Sequence, residues 1–300
     1  MNIKEILKEN RGNLSDSSIK TYSSTLNNLY ARVFPDDGDD IELEKFDDTE
    51  EFMKFLKHMT VDKRKTYYNA LFVLTGNGIY KTQMMKDADL FNQQKLSQKK
   101  SDKESESWVT QDELKEIFKS TRDQANAMYK LKSLTPKQIQ IIQNHLIICL
   151  VSGLYIPIRR LMDWSEMITG VHSESVGNYI KKNPLRFVFN TYKTAKFLGT
   201  QEVKIPIALK HILVKWMVLL KKYYPDNIYL LVDVKGEKLT SVKLNQRLNK
   251  IFGKKTGINI LRHSNITEYY SGDMPPLKDM MEQANARGHS LMMDLGYIKK

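Results

Sequence analysis

The sequence predicts an α+β protein, with an all-helical N-terminal domain ahead of a mainly helical domain that carries a small antiparallel sheet. Three observations point there. Apolar residues recur at helical spacing through residues 1–91, a polar stretch over 92–107 has Leu96 as its one apolar residue, and two β-rich runs interrupt the helical pattern that follows.

The elements follow in order. Ser15-Asp16-Ser17-Ser18 offers N-cap oxygens, and Ile19, Tyr22, Leu26, Leu29 and Tyr30 follow on one helical face. Pro35 begins an Asp- and Gly-rich turn that ends this helix. Thr49-Glu50-Glu51 opens a second helix with Phe52, Phe55 and Leu56 apolar, and a third over 61–74 aligns Tyr67, Leu71 and Leu74. Residues 92–107 cannot bury a core and read as a linker, giving domains over 1–91 and 108–300. Thr110-Gln111-Asp112-Glu113 and Thr135-Pro136 are helix starts, the second leading into Ile139, Ile142, His145, Leu146 and Cys149. Residues 186–190 and 202–207 then read as strands of a two- or three-stranded sheet, joined across a turn containing Gly199. Amphipathic helices are expected over 209–224 and 240–252.

Composition narrows the function. Hydrophobic residues make up 41% of the 300 residues, enough to build cores. The single cysteine, Cys149, excludes an intramolecular disulfide framework and a Cys-based zinc site. The apolar run from Leu146 to Leu154 is far too short to span a bilayer, and the charged start is unlike a signal peptide, so no membrane role is expected. Lys and Arg number 47 against 35 Asp and Glu, a net charge of +12. Residues 1–90 hold 13 basic and 16 acidic side chains; the rest hold 34 and 19, a net of +15. A basic domain of this kind suits a polyanion such as nucleic acid. In the acidic half, Lys63-Arg64-Lys65 at a helix start is the DNA-facing candidate, whereas the segment from Asp36 to Glu51 carries ten acids and one lysine.

Four short motifs carry chemistry. Pro157-Ile158-Arg159-Arg160-Leu161-Met162-Asp163-Trp164 places two arginines after a buried helix. Thr191-Tyr192-Lys193-Thr194 puts a lysine at the end of the first expected strand. Asn259-Ile260-Leu261-Arg262-His263-Ser264 sets an Arg–His pair at a helix start, and Gly288-His289-Ser290 precedes Tyr297. Singly, each fits an ordinary surface ion pair, a structural histidine or a half-buried tyrosine.

In this order the motifs resemble those of the tyrosine recombinase (phage integrase) family. The form around Pro157–Trp164 is most similar to the divergent members of large eukaryotic DNA viruses and their mobile elements. The motifs cover residues 108–300; Ser17-Ser18-Ile19-Lys20-Thr21-Tyr22 extends the likeness more loosely to 1–91, as the family's helical core-binding, DNA-clamping domain. The resemblance implies a site-specific DNA recombinase or integrase working through a 3′-phosphotyrosyl intermediate. Two arginines would bind the non-bridging phosphate oxygens: Arg262, and Arg160 by its spacing to Asp163, with Arg159 the close alternative. Lys193 would protonate the departing 5′ oxygen, His289 would hydrogen-bond the phosphate, and Tyr297 would be the nucleophile. No metal and no cofactor is implied.

Three departures accompany the likeness. Asn259 stands where members usually carry His or Lys, and it can hydrogen-bond without shuttling a proton. The spacing from His289 to Tyr297 is one residue shorter than in most bacterial members. Ile298-Lys299-Lys300 alone follow the tyrosine, so an exchanged C-terminal tail is not expected. Tyr269 and Tyr270 are rival nucleophiles by identity. The expected partner is double-stranded DNA, bound by a homotetramer inside the cell, in the host nucleus or a viral factory for a viral protein. Phe52, Phe55 and Phe72 are candidates for apolar surface between protomers. The alternatives are a type IB-like topoisomerase, needing one subunit, and a catalytically inactive DNA-binding relative.

Overall fold

Asn2 and Glu5 cap one another at the first helix, the Asn2 side chain accepting from the Glu5 N–H while Glu5 accepts from the Asn2 N–H. From this start a computed structural model describes residues 2–38, 40–170, 177–272 and 275–299. The chain divides into two units, Met1–Ser97 and Gln98–Lys300.

The first unit is helical, with α1 (Ile3–Asn10), α2 (Asp16–Val33), α3 (Thr49–Leu56), α4 (Val61–Thr75) and α5 (Gly78–Leu96). Ser15 caps α2 as its sequence suggests, accepting from the Ser18 N–H at 3.2 Å. Leu7, Leu26, Leu29, Phe46, Phe52 and Leu71 are fully buried at its centre, where Phe46 stacks parallel to Phe52 at 5.5 Å. Phe52 therefore cannot face a neighbouring protomer; Phe55 and Phe72 are half-buried against the same core. The expected basic triplet also divides. Lys63 is exposed, but Arg64 reaches across to α5, where both oxygens of buried Asp87 take its guanidinium at 3.0 and 2.5 Å. Lys65 lies over the Phe91 ring at 3.7 Å. The cation that the sequence offered to DNA at Arg64 thus ties two helices together.

The stretch expected as a linker is partly helical. Its first residues continue α5 to Leu96, and Ser101 with Glu104 forms a capping box that starts α6 (Asp102–Ser107). Buried Thr256 donates to the Ser107 carbonyl at 2.8 Å, anchoring the end of α6 within the second unit.

The second unit continues with α7 (Gln111–Tyr129), α8 (Pro136–Val151), α9 (Leu161–Ser165), β1 (Met167–Ile168), β2 (Asn178–Lys181), β3 (Arg186–Phe189), α10 (Ala195–Leu198), β4 (Gln201–Lys204), α11 (Ile207–Tyr223), α12 (Ser241–Phe252), α13 (Ile258–Tyr269), α14 (Leu277–Ala286) and α15 (Leu291–Leu295). The sheet is four-stranded and mixed, in the order β1-β2-β3-β4, with β1 parallel to β2 and the other pairs antiparallel. This corrects the small antiparallel sheet expected: β3 and β4 are the runs the alternation marks, so the strand before Lys193 is third rather than first. Trp164 of α9 meets Phe187 and Phe189 of β3 edge-on, with centroids 5.0 and 5.4 Å apart, and all three are fully buried. Each such pair contributes about 0.5–1.5 kcal/mol beyond its area burial. This contact fixes the helix following the two arginines against the sheet that leads to Lys193.

Candidate active site

Gly153, just past α8, has φ +82°, and a Cβ there would run into the Asn265 side chain of α13. Glycine is required at this close approach. It brings the chain leading to Arg159 and Arg160 beside the helix that carries Arg262.

The two adjacent arginines have different surroundings. Arg159 is 1% exposed. Its Nε donates to Asp163 Oδ2 at 3.0 Å, and its Nη1 donates to Gln201 Oε1 at 2.7 Å and to the Ala286 carbonyl at 2.9 Å. Its guanidinium also lies 3.9 Å from the Phe189 ring centre. Arg160, the residue before α9, is half-buried, and its buried Nη1 has no hydrogen-bond partner among the described residues. Burial pushes the Asp163 carboxyl up from its ordinary range, opposed by Arg159, Arg160 and Arg262.

Arg262 is fully buried on α13. Its Nη2 donates to the Arg287 carbonyl at 3.4 Å, while Nε and Nη1 have no partner among the described residues. His289 is buried too, with both ring nitrogens lacking a hydrogen bond; Nε2 lies 3.5 Å from Asp294 Oδ1. Burial first, then the charges of Arg262, Arg160 and Arg287, push its pKa down to about 3, so the ring is neutral at neutral pH. Gly288, at φ +79°, lets the backbone before His289 settle against Arg159 and Tyr192: a Cβ there would stand 3.4 Å from Arg159 Nη2.

Tyr297 is half-buried in the turn after α15, its N–H donating to the Asp294 carbonyl at 2.9 Å. The Arg262 guanidinium lies 5.0 Å from its ring centre, His289 5.4 Å and His263 4.6 Å. The Tyr297 carbonyl can only accept, so His263 Nδ1, 2.7 Å away, is the donor. Arg262, His289 and Tyr297 thus converge from α13, the turn after α14 and the turn after α15.

Lys193 is exposed on the connection between β3 and β4. Both sequence neighbours are fixed: the Tyr192 hydroxyl donates to the Gly199 carbonyl, and Thr194 Oγ1 donates to the Gly288 carbonyl, each at 2.7 Å. The second bond pins the lysine's loop next to His289. Asn259 is exposed at the start of α13, one turn before Arg262. Of the rival tyrosines, Tyr270 gives its hydroxyl to Asp294 Oδ2 at 3.1 Å, and burial with that acid pushes its pKa up to about 12. Tyr269 lies under the Arg287 guanidinium at 5.2 Å.

Sequence reasoning missed the buried support. Arg287 and Asp294 are 3% and 0% exposed in their side chains and pair at 2.9 Å, bracketing His289. A signal was present: Asp294 sits between Met293 and Leu295, three residues before the tyrosine. Gln201, which holds Arg159, carried none. No group of three or more His, Cys, Asp or Glu side chains could hold a metal ion among the described residues.

No family model matches the chain, and no curated protein matches it. Solved structures do. A lambda integrase dimer bound to a COC′ core site superposes with a TM-score of 0.52 at 14% identity, covering 98% of this chain and 74% of that one. XerH site-specific recombinase bound to difH substrate, a pre-cleavage complex, gives 0.51 at 16% identity, covering 98% and 91%. With its small mixed sheet among helices, the chain shares the α+β fold of tyrosine recombinases.

Proposed function

We propose that the chain is a site-specific DNA recombinase that breaks and rejoins DNA through a 3′-phosphotyrosyl intermediate. The observation that carries this is a group of buried nitrogens without a hydrogen bond among the described residues, including Arg160 Nη1, Arg262 Nε and Nη1 and the one N–H of neutral His289, with Arg262 and His289 beside the Tyr297 ring. Buried donors without acceptors cost roughly 1–3 kcal/mol each. The oxygens of a phosphodiester supply acceptors, its single negative charge offsets one of the two arginine charges, and the charge that grows in the five-coordinate transition state offsets the other. We take Arg160 as the first arginine of the pair, since Arg159 already holds Asp163, Gln201 and Ala286 through Nε and Nη1 and keeps Nη2 alone without a partner among the described residues.

Chemistry follows from that placement. The two guanidinium groups bind the non-bridging oxygens, where charge grows as phosphorus becomes five-coordinate. Tyr297 Oη forms its bond to phosphorus as the P–O5′ bond breaks. Lys193 gives a proton to O5′, and the phenol's proton leaves to solvent. The products are a 3′-phosphotyrosyl link and a 5′-hydroxyl, and a second 5′-hydroxyl attacking that link reverses the step and rejoins the strand. Neutral His289 donates one N–H to the phosphate.

Double-stranded DNA is the partner, supported by the net +15 beyond residue 90 and by the DNA sites held by the lambda integrase and XerH structures. The first unit clamps the duplex, with exposed Lys63 facing it. Exchange of two strands from each of two duplexes calls for four tyrosines, hence a homotetramer on DNA. The form of Pro157–Trp164 is the one support for a virus- or element-borne enzyme acting in a host nucleus or viral factory.

A nicked suicide duplex tests the chemistry. Wild-type protein is expected to form a covalent adduct on a denaturing gel in excess EDTA, and Tyr297→Phe none. Adduct that needs added magnesium, or that survives in Tyr297→Phe, would refute this nucleophile and mechanism.

A further inference from the structure

Asn178, at the start of β2, is fully buried and makes four hydrogen bonds with its side chain. Nδ2 donates to the Asp163 carbonyl at 3.0 Å and to the Thr191 carbonyl at 2.9 Å. Oδ1 accepts from the N–H of Asn190 at 3.0 Å and of Thr191 at 2.9 Å. Two amide hydrogens and two oxygen lone pairs are all an asparagine has, so this side chain is saturated. Two carbonyls and two N–H groups also leave the amide a single orientation.

The bonds lie outside the sheet ladder. Pairing of β2 with β3 runs from Tyr179↔Val188 to Lys181↔Arg186, so Asn178 is beyond its last pair. There the side chain clasps the strand that leaves β3 toward Lys193, two residues past Thr191. Its other hand holds α9: the Asp163 N–H bonds the Arg160 carbonyl at 3.1 Å, and the Asp163 carbonyl bonds Asn178. One buried amide therefore joins the helix that follows Arg160 to the root of the Lys193 loop.

We infer that Asn178 is a positioning residue that sets the separation of Arg160 from Lys193, and so places the proton donor on the leaving 5′ oxygen while the arginine holds the same phosphate. This rests on the recombinase function proposed above. Positioning matters at this scale, because a misplacement of about 1 Å can cost on the order of 10²-fold in rate. Aspartate at this position would keep the acceptor half and lose the donors that reach Asp163 and Thr191.

The test separates the leaving-group step from the rest. In a 5′-bridging phosphorothiolate duplex the leaving atom is sulfur, whose thiolate is stable enough to depart without a proton. Asn178→Asp is expected to cleave ordinary DNA on the order of 10²-fold slower than wild type and to recover near-wild-type cleavage of the sulfur substrate, as is expected of Lys193→Ala. Arg262→Ala, which acts on the non-bridging oxygens, stays slow on both. Asn178→Ser, neutral and smaller, covers the case in which a buried carboxylate prevents folding, with circular dichroism and DNA affinity reporting the fold. Equal slowing on both substrates, wild-type rates on ordinary DNA, or loss of fold in both variants would overturn the inference and leave Asn178 a structural residue. Absence of any covalent adduct with wild-type protein on either substrate would instead sink the recombinase function itself.

Discussion

Adjacent arginines 159 and 160 should fail in opposite ways when truncated. Arg159→Ala strips Asp163 of its ion-pair partner inside a site where both side chains are 1% exposed, and it empties the place over Phe189. Breaking a buried pair by removing one partner costs about 3–5 kcal/mol. In a unit of this size each kcal/mol moves the melting temperature by roughly 2–4 °C, so a fall of roughly 6–20 °C is expected. Arg160→Ala removes a half-buried side chain in no ion pair among the described residues, whose buried Nη1 makes no hydrogen bond there, so stability should hold or rise, by up to about 1–3 kcal/mol where relief of that donor dominates. Its loss should appear in the rate, at on the order of 10²–10³, as for removal of one preorganised donor to a developing oxyanion. Thermal unfolding and adduct formation on a suicide duplex, measured on the same preparations, read the two effects separately. A stable, inactive Arg159→Ala beside an unstable but normally cutting Arg160→Ala would reverse the assignment.

Three further outcomes are expected. DNA affinity should fall on the order of 10³–10⁵ between 50 and 200 mM salt if about 6–10 phosphates are contacted; a flat response would show that the positive charge beyond residue 90 does not meet the backbone. Burial, with Arg122 adding to it, pushes the His145 pKa down to about 4 from 6.5, so the unfolded chain binds more protons than the fold below pH 6.5. Its contribution is fully present above 6.5 and is lost toward pH 4 at up to about 1.4 kcal/mol per pH unit, and denaturant melts of His145→Gln should show a shallower acid slope than wild type. Four protomers should assemble on a four-way DNA junction by mass measurement, whereas one protomer per DNA with rapid supercoil relaxation would favour a topoisomerase.

What was legible in the sequence was local. Ser15 and Thr135 announce α2 and α8 because an N-cap needs only its own next three residues. The alternation in β3 and β4 was visible, but β1 is two residues long and pairs in parallel with a strand further along the chain, so no period could reveal it. The Ser101–Glu104 capping box was present in the supposed linker and was outweighed there by polar composition. Arg64 shows the same limit for charge. A lysine- and arginine-rich helix start looks solvent-facing until the fold brings up Asp87, 23 residues away. The site divides likewise: the order of Arg, Lys, Arg, His and Tyr could be read, while Arg287, Asp294 and Gln201 act by contacts that only the folded chain creates.

Those contacts explain how so many cations can share one interior. Arg159 is paired with Asp163 and Arg287 with Asp294, each inside a site that excludes water, and both spend their charge on holding the scaffold. Arg160 and Arg262 have no carboxylate partner among the described residues, although Arg159 Nη2 and Arg287 Nε also lack a hydrogen bond there, and burial, then Arg262, Arg160 and Arg287, keeps the His289 ring neutral. Left alone, such a cluster opposes folding, because like charges crowd one another and buried donors lack acceptors. The cost is carried by packing next door, where Trp164, Phe187 and Phe189 are fully buried against one another. A phosphate entering the site would relieve the repulsion and supply the acceptors together, so on the proposed function an added anion should raise the protein's stability. On the function proposed above, the ion-paired arginines Arg159 and Arg287 serve the fold, and Arg160 and Arg262, which hold no carboxylate among the described residues, are the ones left for the phosphate.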